Sequence, residues 1–101
     1  MPDVQQKPAD YEVLMAVQTV KALYKRALAR AESGRKKAVD AAFQHFGPTD
    51  VEQAARSNAI RRAERAYGEA IDKAAMNLRT RLADIKARAG EWAELVPDAP
   101  R

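Results

Sequence analysis

The chain has no cysteine, which excludes disulfides, thiolate nucleophiles and cysteine-ligated metals and is compatible with a reducing compartment. Histidine occurs once, at His45, with no second histidine and no E-x-x-H pair to share a metal or a proton. Cofactors and metals are therefore not expected. Large apolar residues are also scarce, with two Phe, one Trp, three Tyr and three Met among 101 residues. Burial returns roughly 25 cal/mol per Å² of apolar surface, against an ordering cost of about 1 to 2 kcal/mol per residue. A chain with so little bulk gains from an assembly or a partner. No run of 18 apolar residues exists, so no membrane span is expected. The opening "MPDVQQKPAD" has neither a basic region nor an apolar core, so no cleavable signal is expected there and a cytoplasmic location is the expectation.

What the chain does have is alanine, 22 residues of it, with only four glycines and five prolines to interrupt helix. The prolines stand at 2, 8, 48, 97 and 100. They delimit a flexible N-terminal tail (1–8), a helical domain (9–90) and a short C-terminal turn and tail (91–101). Between Pro8 and Pro48, apolar or small residues recur at alternating gaps of four and three: Val13, Val17, Val20, Tyr24, Ala27, Ala31, Gly34, Ala38 and Ala41. The phase does not break at Gly34. A helix that stopped there and restarted in another direction would have no reason to keep its register, so one helix over about 9–45 is predicted.

The segment "HFGPTDVE" marks the end of that helix and the start of the next. Gly47 is placed at the C′ position and Pro48 just beyond it, and Thr49-x-x-Glu52 reads as a capping box. In that box Glu52 is expected to accept from the Thr49 N–H. A second helix over about 49–89 follows, with Ile60, Ala63, Tyr67, Ile71, Ala74, Leu78, Leu82, Ile85, Ala89 and Trp92 on one arc and Gly90 as terminator. A turn this short makes the helices antiparallel. With the turn near residue 47, residue i is expected opposite residue 95 − i. Val13, Val17 and Tyr24 then meet Leu82, Leu78 and Ile71, and the band of Ala27, Ala31, Gly34 and Ala38 faces the band of Gly68, Ala66, Ala63 and Ala59 in a tight waist. The fold class is an all-α, antiparallel two-helix hairpin. Two helices cannot enclose a core, so completion as a four-helix bundle by homodimerisation or by a partner protein is expected.

The formal charge is +4, and the stretch from Lys21 to Arg65 carries eleven cations against five anions. Arg35, Lys36, Lys37, Arg61 and Arg62 are the candidate contacts to a partner or to phosphate. No aromatic residue is interleaved with them for base stacking. Asp40, Glu64, Glu69, Asp72 and Asp84 stand mostly beside Arg or Lys at helical spacing, the pattern of a solvated, ion-paired face. They form no catalytic constellation. Tyr11, Leu14, Met15, Met76 and Trp92 lie at or off the seam and form the candidate apolar interface.

In outline the hairpin is similar to the small W-x-G helical hairpins exported by bacterial type VII systems. Its turn reads His45-Phe46-Gly47 without Trp, and Tyr67-x-x-x-Ile71 has no acidic fifth residue, so the likeness is one of architecture alone. The Ala and Arg usage fits a GC-rich bacterial or phage genome, which adds a virion-associated location to the expectations. The function expected is that of a non-enzymatic helical interaction protein, a homo-oligomer or the binder of a protein partner, such as a phage virion component or a host-protein inhibitor. It is expected to use no small-molecule substrate and no membrane. The alternative is a basic hairpin that binds nucleic acid.

Overall fold

A computed structural model describes residues 9–98; the expected N-terminal tail (1–8) and the last three residues of the expected C-terminal turn and tail (91–101) lie outside the described residues. Two long helices dominate, α1 (Asp10–His45, 36 residues) and α2 (Asp50–Arg88, 39 residues), followed by a 3-10 helix, Gly90–Leu95. No strand occurs among the described residues, and the all-α hairpin is as predicted. α1 continues through Gly34 without interruption. Acidic residues occupy both first turns, Asp10 and Glu12 in α1 and Asp50 and Glu52 in α2, where the exposed N–H groups favour negative charge.

The chain divides into two compact units, residues up to 25 together with those from 75 onward, and residues 26–74. The first holds the aliphatic core. Val13, Val17 and Val20 of α1 cluster with Leu78 and Leu82 of α2, and with Ala89 and Val96 beyond. Tyr24, Ile85, Trp92 and Ala93 pack against this cluster half-buried. The second unit buries only Ala42, Ala63 and Ala74. No large side chain among the described residues is fully buried.

Gly90 ends α2 with φ +60°, the left-handed conformation that L side chains resist. The following turn folds back on the first unit. Trp92 N–H donates to the Ala89 carbonyl at 3.1 Å and Val96 N–H to the Ala93 carbonyl at 3.1 Å, which brings Val96 down to 4 % exposure. The segment "EWAELV" is thus part of the fold.

The interhelical turn departs from its prediction in two ways. Gly47 does not take a positive φ, so it is not a left-handed C′ cap. Its lack of a side chain serves the Glu52 carboxylate instead, because a Cβ there would lie 2.7 Å from Glu52 Oε2. Glu52 also reaches past Thr49, accepting from Gly47 N–H at 2.7 Å and from the Thr49 hydroxyl at 2.7 Å, while its own N–H donates to Thr49 Oγ1 at 3.2 Å. The Thr49 hydroxyl first, and the Gly47 N–H second, hold the Glu52 carboxyl below its ordinary value.

Side-chain pairing within the second unit is displaced by about one helical turn from the predicted register. Arg35 meets Glu64 and Phe43 meets Arg56, so the residue numbers of each pair add to 99 where 95 was expected. Helical side chains lean toward their own N-terminus. In an antiparallel pair those leans are opposed, and contacts shift to higher summed numbers. The alanine waist is open rather than tight. Gly34, Ala38, Ala66 and Ala70 are exposed and line, with Ala31, Arg35, Ala63 and Tyr67, a groove of about 290 Å³. A Cβ built on Gly34 or on Gly68 meets nothing within 4 Å, so neither glycine is there for close approach. The Arg35 guanidinium stacked on Tyr67 stands in this groove, and methyl groups are too short to fill the rest.

Two expectations follow for stability. Gly34→Ala gains about 0.5 to 1 kcal/mol, because the position is helical and open, whereas Gly90→Ala loses about 1 kcal/mol through its left-handed backbone. Denaturant unfolding of the two variants checks the opposite signs. For Glu52, the unfolded chain binds the proton more tightly than the folded one. Its stabilising contribution is therefore complete above the ordinary carboxylate range and lost as pH falls through the depressed value. Glu52→Gln is expected to flatten the loss of stability below about pH 5 seen in the unsubstituted chain. Gly47→Ala, which displaces the same carboxylate, should flatten it equally, with the double variant no worse than either single one.

Candidate interaction surface

Arg35, the first candidate for phosphate contact, is held within the second unit. Its Nη2 lies 2.7 Å from Glu32 Oε1 one turn earlier in α1, and its Nη1 lies 3.3 Å from Glu64 Oε1 on α2. The guanidinium carbon sits 4.9 Å from the centre of the Tyr67 ring, a cation–π contact. Its Nε is shielded and donates to no protein acceptor. The hydrogen bond from Arg35 draws the Glu32 carboxyl below its ordinary value, and the same two carboxylates raise the Arg35 guanidinium. This guanidinium joins α1 to α2 and is not presented to a ligand. The sequence signal was the i, i+3 spacing of Glu32 and Arg35; the partners on α2 depended on the register shift described above.

The other four basic candidates behave differently. Lys36, Lys37, Arg61 and Arg62 are all exposed. Lys36 lines a groove of about 510 Å³ with Glu32, Arg35, Val39, Asp40, Phe43, Ile60 and Glu64, so anions share its surroundings. Arg56, which is not among the candidates, stacks on Phe43 at 5.1 Å and covers part of that ring. Arg35 and Arg56 are thus engaged within the second unit, and Lys36, Lys37, Arg61 and Arg62 face outward.

The apolar candidates separate equally clearly. Trp92 is half-buried against the aliphatic cluster and supports the fold. Tyr11 (61 % exposed), Met15 (63 %), Met76 (59 %) and Leu14 (44 %) remain on the surface of the first unit. Phe43 and Val51, which sequence reasoning did not single out, are exposed in the second unit. Their signal was position, since each falls off the seam arc near the turn. Between α1 and α2 of the first unit, Val13, Ala16, Ile85 and Ala89 form the apolar part of a further groove of about 260 Å³, rimmed by Glu12, Asp84 and Arg88. Arg88 pairs with Asp84 at 3.4 Å on that rim.

Among the described residues no group of three or more His, Cys, Asp or Glu is placed to hold a metal ion. No helix among them is long and apolar enough to cross a membrane. His45 ends α1 exposed. What this surface offers a ligand is apolar side chains on helix and a set of outward cations. No protein-family model, curated protein or solved structure matches the chain.

Proposed function

We propose that the chain is a non-enzymatic helical interaction protein that works by binding protein, either a second copy of itself or a partner chain that covers its exposed apolar residues. The observation that carries this reading is the inversion of bulk. Tyr11, Met15 and Met76 are more than half exposed, while four of the ten buried residues among those described are alanine. An aromatic and two thioethers left in water each forgo burial free energy of about 1.5 to 3 kcal/mol, which an interface would recover. Methionine and tyrosine also suit such a surface, Met by flexibility and Tyr by its amphipathic ring.

A second reading, nucleic-acid binding, is favoured by one feature, the outward exposure of Lys36, Lys37, Arg61 and Arg62. Arg35 no longer supports it, because its charge is met by Glu32 and Glu64. The protein-binding reading is preferred because the exposed apolar bulk asks for a partner and the cations are soluble as they stand.

Light scattering on the purified chain tests the first reading. At about 10 µM the expected result is a mass above 11.2 kDa, or else retention of a specific protein that a Tyr11→Glu/Met15→Glu/Met76→Glu variant fails to retain. A folded monomer that retains nothing would sink it. For the second reading, mobility of labelled duplex and single strands at about 50 mM salt should shift, with affinity falling steeply as salt rises. Unshifted nucleic acid eliminates that reading.

A further inference from the structure

Within the first unit, α1 carries a second stripe on the side away from its core. At about 100° per residue, Tyr11, Met15, Gln18 and Ala22 fall within about 50° of the direction opposite Val13, Val17 and Val20. All four are exposed, and their spacing of four, three and four is that of a coiled-coil seam. Bulk is graded along it, with Tyr and Met at the N-terminal end, Gln in the middle and Ala at the far end. Charge is graded the same way: Asp10 and Glu12 stand beside the bulky end, and Lys21 and Lys25 beside the small end.

Resting on the protein-binding reading above, we infer that the occupant of this stripe is the same stripe of a second copy, running antiparallel about a two-fold axis at Gln18. In that arrangement residue n lies opposite residue 36 − n of the other copy. Met15 then falls between Lys21 and Ala22, whose methyl group leaves room for the thioether, and Tyr11 lies against Lys25, with the ammonium placed to meet the ring face. Asp10 comes alongside Lys25 on the same flank, because a two-fold axis perpendicular to both helices brings like flanks together. Gln18 meets its own equivalent, a polar pair of the kind that fixes register in helical seams. A parallel arrangement would set bulk on bulk, acid on acid and lysine on lysine. Size and charge therefore select the same orientation.

The stripe on α2 that is its counterpart, Met76, Thr80, Ala83 and Ala87, has one large residue and no such polarity of charge. It makes the poorer seam. Because the α1 stripe faces away from the core that α1 shares with α2, the pairing places the two α1 helices side by side and does not enclose a common core.

The absence of cysteine makes the test direct. Gln18→Cys is expected to form a disulfide-linked dimer on mild oxidation, and Met76→Cys is not. Mixing Met15→Cys chains with Ala22→Cys chains should give mainly the mixed disulfide. Lys25→Glu should weaken the dimer about tenfold in light scattering at low salt, and Asp10→Lys in the same chain should restore it. Helical circular dichroism of each variant confirms that it is folded. A dimer that cross-links through Met76→Cys and not through Gln18→Cys would overturn the α1 seam while leaving self-association standing. A folded monomer at about 100 µM would overturn the self-pairing. Retention of a different protein by that monomer would leave the broader protein-binding reading intact.

Discussion

Val13, Val17 and Val20 of α1 meet Leu78 and Leu82 of α2 in a small aliphatic cluster, and this contact is what makes a pair of long alanine-rich helices a fold. Alanine favours helix because it loses no side-chain entropy, but a methyl group buries too little area to hold two helices together. Adhesion must then come from a few branched residues, and the buried ones lie in the first unit. The 3-10 helix after Gly90 exists to enlarge that cluster, since it brings Trp92 and Val96 onto it. In the second unit, where Leu28, Val39, Ile60 and Ile71 are only half-buried, polar devices add to them: the Glu52 carboxylate spans the turn, and Arg35 reaches Glu64 and Tyr67 across the helices.

These devices have limits that can be ranked by magnitude. Exposed ion pairs contribute about 0 to 1 kcal/mol each, and a cation–π contact about 0.5 to 1 kcal/mol at an exposed site. Both fall short of one buried leucine. The second unit is therefore oriented by its arginines more than it is stabilised by them, and its grooves stay open beside Phe43 and between the alanines. An assembly that buries apolar side chains on the first unit would add to the part of the molecule that already has a core.

Much of this was legible in the residues. The uninterrupted phase through Gly34, the Thr49-x-x-Glu52 box and the glycine at 90 located both helices and their ends to within a residue or two. The last two are local signals, each set by backbone geometry within one turn, and the first is a repeat carried over many turns of one helix. What escaped was set by side-chain length and direction. Counting along the chain gives the level of a Cα but not the lean of its side chain, so the pairing of Arg35 came out one turn short of Glu64. The same limit hid the true role of Gly47, whose importance lies in a carboxylate five residues on. Small residues at the waist were read as a sign of close approach. Their exposure shows that the same composition also results when a stacked Arg–Tyr pair stands between helices.

The apolar candidates were legible as residues but not as a pattern, because Tyr11, Met15 and Met76 were grouped by being off the seam. Placing them on the helix separates two outer stripes that point away from the core on different helices. That separation matters for what the protein can do. A single helix presenting bulk and negative charge at one end, and small residues and positive charge at the other, is complementary to its own reverse and to nothing symmetric about its own axis. The self-pairing proposed above would close into a two-fold unit, whereas pairing α1 of one copy with the outer stripe of α2 on the next would leave a stripe open at each end and continue into an array. The gradient of size and charge along residues 10–25 favours the closed form, and with it a discrete complex rather than a filament.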